Sequence, residues 1–94
     1  MPAVTRQGDK CTGHGGFPPR RSISGSSNVF CNGLPVHRQG DAWDTHCDSL
    51  SCHGGVLSSG SGTVFVNGKP LGRVGDPIDC GSAVAEGSSN VFSG

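Results

Sequence analysis

The sequence predicts a small all-β fold of three β-hairpin repeats closed into a ring. No segment of the 94 residues carries a helical period, so no substantial helix is expected. Two short blocks recur three times along the chain. Between them stand Asn-Gly dipeptides, which suit two-residue hairpin turns because both central residues there need positive φ.

The first block, Gly25-Ser26-Ser27-Asn28-Val29-Phe30, returns as Ser61-Gly62-Thr63-Val64-Phe65 and as Gly87-Ser88-Ser89-Asn90-Val91-Phe92. The second, Pro35-Val36-His37-Arg38-Gln39-Gly40-Asp41, is matched by Pro70-Leu71-Gly72-Arg73-Val74-Gly75-Asp76 and by Pro2 through Arg6-Gln7-Gly8-Asp9. Arg6, Arg38 and Arg73 are 32 and 35 residues apart, a spacing typical of repeat architectures. Val29 to Cys31 and Val64 to Val66 read as outgoing strands, which turn at Asn32-Gly33 and Asn67-Gly68. Pro35 to Arg38 and Pro70 to Val74 read as returning strands, and the leading Pro marks an edge or bulged position.

The third copy breaks off at Ser93-Gly94, where its turn and returning strand are due. Pro2 to Asp9 carries the missing pieces. With the termini side by side, residues 1–94 form one domain of approximate threefold symmetry, without the polar caps that open repeat arrays need.

Seventeen Gly, six Pro and 32% hydrophobic residues leave little apolar surface to hold this ring together. A domain this small needs a staple, and five Cys and four His are the raw material. The net charge of +0 argues against nucleic acid or an anionic membrane as a partner held by charge. Met1 to Arg6 lacks the apolar run of a secretory signal, and runs such as Val64-Phe65-Val66 are too short to span a bilayer. Synthesis in a reducing cytoplasm is expected. An odd Cys count excludes a fully paired framework within one chain and favours metal ligation for at least one thiol.

Each Gly-Asp is followed by a loop with a metal-binding residue at nearly the same offset. His14 lies five residues after Asp9, His46 five after Asp41, and Cys80 four after Asp76. In a three-copy ring these positions meet on the axis at one end. The longer second loop adds His53, in a Cys52-His53-Gly54-Gly55 run that repeats His14-Gly15-Gly16. Three imidazoles and one thiolate make a tetrahedral set suited to zinc, with iron(II) the second choice. Cys11, Cys47 and Cys52 lie near the same end, so a Cys could replace one His, or Cys47 and Cys52 could form a disulfide outside the cell. Cys31, on a strand, is expected to be a small buried apolar residue. His37, in the Pro/Arg strand, is expected to be solvated.

Taken together, the Pro-x-x-Arg-x-Gly-Asp units, the Gly-Ser-x-Asn-Val-Phe segments, the Asn-Gly-x-Pro turns and the His-Gly-Gly loops resemble the PAAR-repeat proteins, named for a Pro-Ala-Ala-Arg motif. The likeness runs over essentially the whole chain, and three ordered copies are specific where one would not be. The first unit departs from the others, reading Pro2-Ala3-Val4-Thr5-Arg6, one residue longer than Pro35-Val36-His37-Arg38 or Pro70-Leu71-Gly72-Arg73.

The resemblance implies a small conical β protein, one chain per trimer, on the blunt end of a trimeric β-helical spike in a type VI secretion machine or contractile phage tail. It implies zinc near the point of the cone, held by His14, His46, His53 and Cys80, the four residues the offsets select. Some family members carry a fused toxin. This chain stops inside the repeat, so no fused cargo is expected and any effectors would be separate chains. At the base, a spike's exposed strand edges need cover. Val29-Phe30, Val64-Phe65 and Val91-Phe92 offer apolar contacts there beside main-chain hydrogen bonds. Membrane piercing is then mechanical, and the protein leaves the cell or virion at the spike tip.

No enzyme is expected. A zinc hydrolase with Asp44 or Asp48 as its base would need an open coordination position for water, which four protein ligands close. A small zinc-binding regulatory or interaction module is the alternative, but neither knuckle spacing nor a recognition helix is present.

Overall fold

A computed structural model describes residues 1–94. It contains no helix and three antiparallel two-stranded hairpins. These are β1 (Phe30–Cys31) with β2 (Leu34–Pro35), β3 (Ala42–Cys47) with β4 (Cys52–Val56), and β5 (Phe65–Val66) with β6 (Lys69–Pro70). The first and last hairpins turn at the Asn-Gly pairs as the sequence predicts. Asn32 and Asn67 both sit at φ 54°, followed by Gly33 and Gly68 at φ 78°.

The expected returning strands are divided between two tasks. Leu34–Pro35 and Lys69–Pro70 pair within their own hairpins, and Val36 and Leu71 each add one N–H bond there, to the Val29 and Val64 carbonyls. The residues that follow pair with other repeats, because a ring needs each repeat to bond both neighbours. Bridges run Arg6 to Val36, Arg38 to Leu71 and Arg73 to Val4. Three main-chain hydrogen bonds close the circle: His37 N–H donates to the Thr5 carbonyl at 3.1 Å, Gly72 N–H to His37 at 2.9 Å, and Thr5 N–H to Gly72 at 3.1 Å.

The first Pro/Arg unit is no longer than the others. Ala3, not Pro2, occupies the place of Pro35 and Pro70. It bridges Phe92 as Pro35 pairs with Phe30 and Pro70 with Phe65, and its carbonyl accepts Val74 N–H as Pro35 accepts Gln7 and Pro70 accepts Gln39. The residue there needs a carbonyl and a small side chain but no N–H, so Ala and Pro serve equally.

Each Arg-x-Gly-Asp forms a β-turn in which Asp N–H donates to the Arg carbonyl, at 3.0, 2.9 and 3.0 Å in the three copies. Gly8, Gly40 and Gly75, at φ between 87° and 97°, fill the third position, where a type II turn demands positive φ. Every turn is clamped by its own side chains. Arg6, Arg38 and Arg73 each direct a guanidinium fork at Asp9, Asp41 and Asp76, with closest approaches of 2.9 Å. Both Asp oxygens are engaged in each copy, so the pairs are bidentate.

The ring separates two small cores. Val4, Val36 and Leu71 pack with Cys31 and Val66 on one side. Cys11, Trp43, Leu57, Ile78 and Val84 pack on the other. Cys31 is thus a buried apolar residue, as expected.

His37 is not solvated, contrary to expectation: it is 0% exposed and its ring lies 4.6 Å from that of Trp43. Its position in the ring is equivalent to Thr5 and Gly72, all three pointing towards the second core. Ring volumes compensate one another here. Bulky His37 meets small Ser22, whose hydroxyl lies 2.5 Å from Nδ1, whereas a Cβ on Gly72 would come within 2.9 Å of Leu57. Ser22 and Leu57 are themselves equivalent, since their N–H groups bond the carbonyls of Asp9 and Asp41. Burial pushes the His37 pKa down to about 4, against the upward pull of Asp41 and the Ser24 carbonyl.

Candidate metal centre

Three loops rise from the three Asp residues beyond the second core. The first, between Asp9 and Ser22, folds back on itself at His14 and Phe17, whose main chains exchange hydrogen bonds of 2.8 and 3.0 Å. The second is the β3–β4 hairpin. The third turns at Asp79–Gly81, with Gly81 N–H donating to the Ile78 carbonyl.

A bulge in the second loop sets the orientation of its ligands. Trp43 pairs with Gly55 and His46 with His53, so Asp44 and Thr45 on β3 oppose Gly54 alone. In a regular strand, residues three apart face opposite sides. The extra residue reverses that parity. Trp43 can therefore fill the core while His46, also buried, faces the axis.

His14, His46, His53 and Cys80 converge, with one donor atom from each lying within 4.8 Å of all the others. The Nε2 atoms of His46 and His53 are 2.8 Å apart, those of His14 and His53 3.0 Å, and the Cys80 sulfur is 3.9 Å from His46 Nε2. A tetrahedral zinc site has donor–donor edges of about 3.3 to 3.7 Å, given Zn–N and Zn–S bonds near 2.1 and 2.3 Å. The spacings in the cluster, from 2.8 Å to no more than 4.8 Å, bracket that size.

Local contacts leave the donors free to coordinate. His46 Nδ1 lies 2.8 Å from the Pro18 carbonyl, which can only accept, so the proton belongs on Nδ1 and Nε2 presents its lone pair. Burial, and then the neighbouring His46 and His53, hold the His14 imidazole below its ordinary pKa, which favours the neutral, ligating form. Cys80 carries a free thiol. A side chain at Gly55 would crowd it, since a Cβ there would lie 3.1 Å from the sulfur and 2.9 Å from Ile78 Cγ2. The residues therefore fit a zinc-type ion.

Phe17 escaped the sequence reading. Its ring centroid lies 4.2 Å from His53, 4.8 Å from His14 and 5.0 Å from His46, so it covers all three imidazoles. The only hint in the sequence is its position at the end of the His14-Gly15-Gly16 turn.

The remaining candidates fall elsewhere. Cys11 is buried in the second core, where its sulfur accepts Arg20 N–H. Cys47 and Cys52 form a disulfide, so neither replaces a histidine. Asp48 Oδ1 accepts the N–H groups of Leu50 and then Ser51, and these bonds hold the carboxyl below its usual range. It caps the hairpin turn. Asp44 lines an open groove of about 530 Å³ on the flank with Arg21, Ile23 and Leu34, and none of the four donors borders that groove.

At the opposite end the apolar pairs are exposed, and to almost the same degree in each repeat. Phe30, Phe65 and Phe92 are 57%, 56% and 50% exposed, and Val29, Val64 and Val91 are 37%, 37% and 38%. The serines beneath them are equivalent as well. Ser26, Ser61 and Ser88 are buried, and each hydroxyl accepts two N–H groups of its own turn. Sequence reading names the six apolar residues but not this support.

A family model described as the PAAR motif matches residues 46–94, just over half the chain. That span includes His46, His53 and Cys80. No curated protein matches the chain.

Proposed function

The chain belongs to the PAAR-motif family, and from that premise we propose that it caps and sharpens a trimeric β-helical spike of a contractile injection machine. Family membership itself points to a spike tip. The finer reading is that one chain, a single domain over residues 1–94 with its third repeat completed by residues 2–9, seats on three spike subunits at once. The observation that carries it is the matched exposure of the three Val-Phe pairs. Solvent gives no reason to repeat an apolar pair three times, whereas a threefold partner does.

At the other end, His14, His46, His53 and Cys80 would hold a structural zinc. When bound, zinc supplies a cross-link between three loops that have little core of their own, so ligation free energy becomes folding free energy. Four protein donors leave no position for a reactive water, which favours a structural over a hydrolytic role.

Co-purification with a trimeric spike protein tests the cap. One chain per three spike subunits is expected, with zinc in the same sample. Phe65→Asp places a charge in one of the three apolar pairs of the proposed interface and should weaken capture at least ~30-fold while leaving the melting temperature within about 5 °C of the parent. Failure of the metal-loaded chain to bind any trimeric β-helix would remove this reading.

A further inference from the structure

The β3–β4 hairpin extends beyond the bulge by only two residue pairs, His46 with His53 and Cys47 with Cys52. One pair supplies two of the four convergent donors. The other is cross-linked. Past it lies a turn held by Asp48 and closed at Ser51, within which Leu50 is 92% exposed. A bulge interrupts the ladder, and short hairpin ends fray in water. The disulfide therefore stands where fraying would otherwise reach His46 and His53 first.

Both sulfur-bearing residues are exposed, whereas Cys11 and Cys31 are buried in the two cores and Cys80 lies among the donors. Of the five cysteines, these two are the most open to reagents in solvent. We propose that Cys47–Cys52 is a redox lock on the apical metal: in the dithiol form the hairpin end opens and the ion exchanges, and in the disulfide form the ion is trapped. The proposal rests on the zinc reading above. It assigns positioning roles to two cysteines that are not themselves ligands.

The chemistry needs a disulfide donor such as oxidised glutathione or a thiol–disulfide oxidoreductase. The Cys47 thiolate attacks one donor sulfur and expels the first donor thiol. The Cys52 thiolate then attacks the Cys47 sulfur of the mixed disulfide, forming the intramolecular bond and expelling the second. Two electrons pass to the donor, and the two thiol protons end on its two thiols. The order follows from the compartments a spike tip traverses, since a reducing interior keeps the pair open for loading and an oxidising exterior closes it.

The test uses the full chain loaded with zinc, prepared as dithiol with a phosphine reductant and as disulfide with oxidised glutathione. Denatured thiol counts verify the two forms. Zinc transfer to a colorimetric chelator is then timed. Release from the disulfide form should be slower by about tenfold or more, the scale expected from closing a short loop. Cys47→Ala/Cys52→Ala should release zinc at the dithiol rate under either condition. Val36→Ala, which loosens the core on the far side of the ring, should keep the slow release, and this separates positioning from general stability. Equal rates for dithiol and disulfide forms, or slow release from the double variant, would overturn the lock. If neither form takes up zinc, the metal reading falls, and the lock with it.

Discussion

At the base, three repeats share a buried serine under a Val-Phe pair and a bidentate Arg–Asp clamp on a Gly turn, differing in that Ser61 donates to the Gly94 carbonyl where Ser26 and Ser88 donate to Asn67 and Asn32. At the apex, loops of three different lengths deliver one donor, two donors and one donor. On the spike-cap reading proposed above, the contrast follows from what each end would meet. A threefold surface is matched by three equal copies, but four convergent donors cannot come from three identical loops. One loop had to grow. The β3 bulge then turned His46 to the side of its partner His53 without moving Trp43 from the core.

If this contrast is correct, the largest loss of stability follows from changes at the apex. His46→Ala removes a buried donor that Pro18 already orients. A structural zinc can supply about 10 kcal/mol or more of apparent binding free energy, comparable to the whole stability of a small domain. His46→Ala, or chelation of the parent, should lower Tm by at least about 15 °C, while Phe92→Ala at the base should shift it by no more than about 5 °C. Paired melting curves with metal analysis check this. Similar shifts for the two variants would erase the distinction between the ends.

Next come the clamps. Asp41→Asn leaves Arg38 beside a neutral amide in a mostly buried site, at a cost of about 3 kcal/mol. Asp9→Asn and Asp76→Asn should fall within about 1 kcal/mol of it in urea titrations, because their turns are superimposable in their bonding. A wide spread would mean that the repeats are alike in geometry but not in load.

His37 breaks the symmetry between the two cores, and acid should expose that. Its folded pKa of about 4 lies below the ordinary histidine value of 6.5, so the unfolded chain binds the extra proton first. Its contribution is present above pH 6.5 and is lost as pH falls towards 4. Between pH 7 and pH 4.5 the parent should lose about 2–3 kcal/mol more than His37→Leu, in which Ser22 can still bond the Ser24 carbonyl. Asp41, held low by Arg38 against its burial, adds a further loss below 3.8. Parallel pH profiles for parent and variant would show that His37 is not held neutral.

The same contrast governs what the sequence reveals. The Asn-Gly turns, the inward Cys31 and the convergence of His14, His46, His53 and Cys80 are legible because local turn chemistry, nearly equal offsets and the repeated His-Gly-Gly run carry them. The ring is legible only in outline. Its bridges join Arg6 to Val36 and Arg38 to Leu71 by single pairs, too short to leave a period. His37 reads as solvated because Ser22, the partner that makes its burial tolerable, lies in another repeat. Ala3 hides for the opposite reason: nearby Pro2 imitates the motif, and only the Val74 and Phe92 pairings reveal the register. Phe17 has no ligating atom, so spacing rules for donors pass over it.

The smallest predicted effect bears on the base. Asn32 and Asn67 hold positive φ and tie the repeats together: Ser88 and Arg6 donate to Asn32 Oδ1, and Ser26 and Arg38 donate to Asn67 Oδ1. Their amides in turn donate to Asn90 and Asn28, both at 2.9 Å. Replacement by Ala forces a less tolerant residue into the left-handed region and leaves each buried serine hydroxyl only its longer bond to Asn90 or Asn28, at 3.0 and 3.1 Å, for about 1–2 kcal/mol. Asn32→Ala and Asn67→Ala should agree within about 0.5 kcal/mol, and the double variant should be additive, since each links a different pair of repeats. Unequal costs would mean that the base, for all its matched exposures, does not bear on its three repeats equally, and a threefold partner would then meet one weak corner.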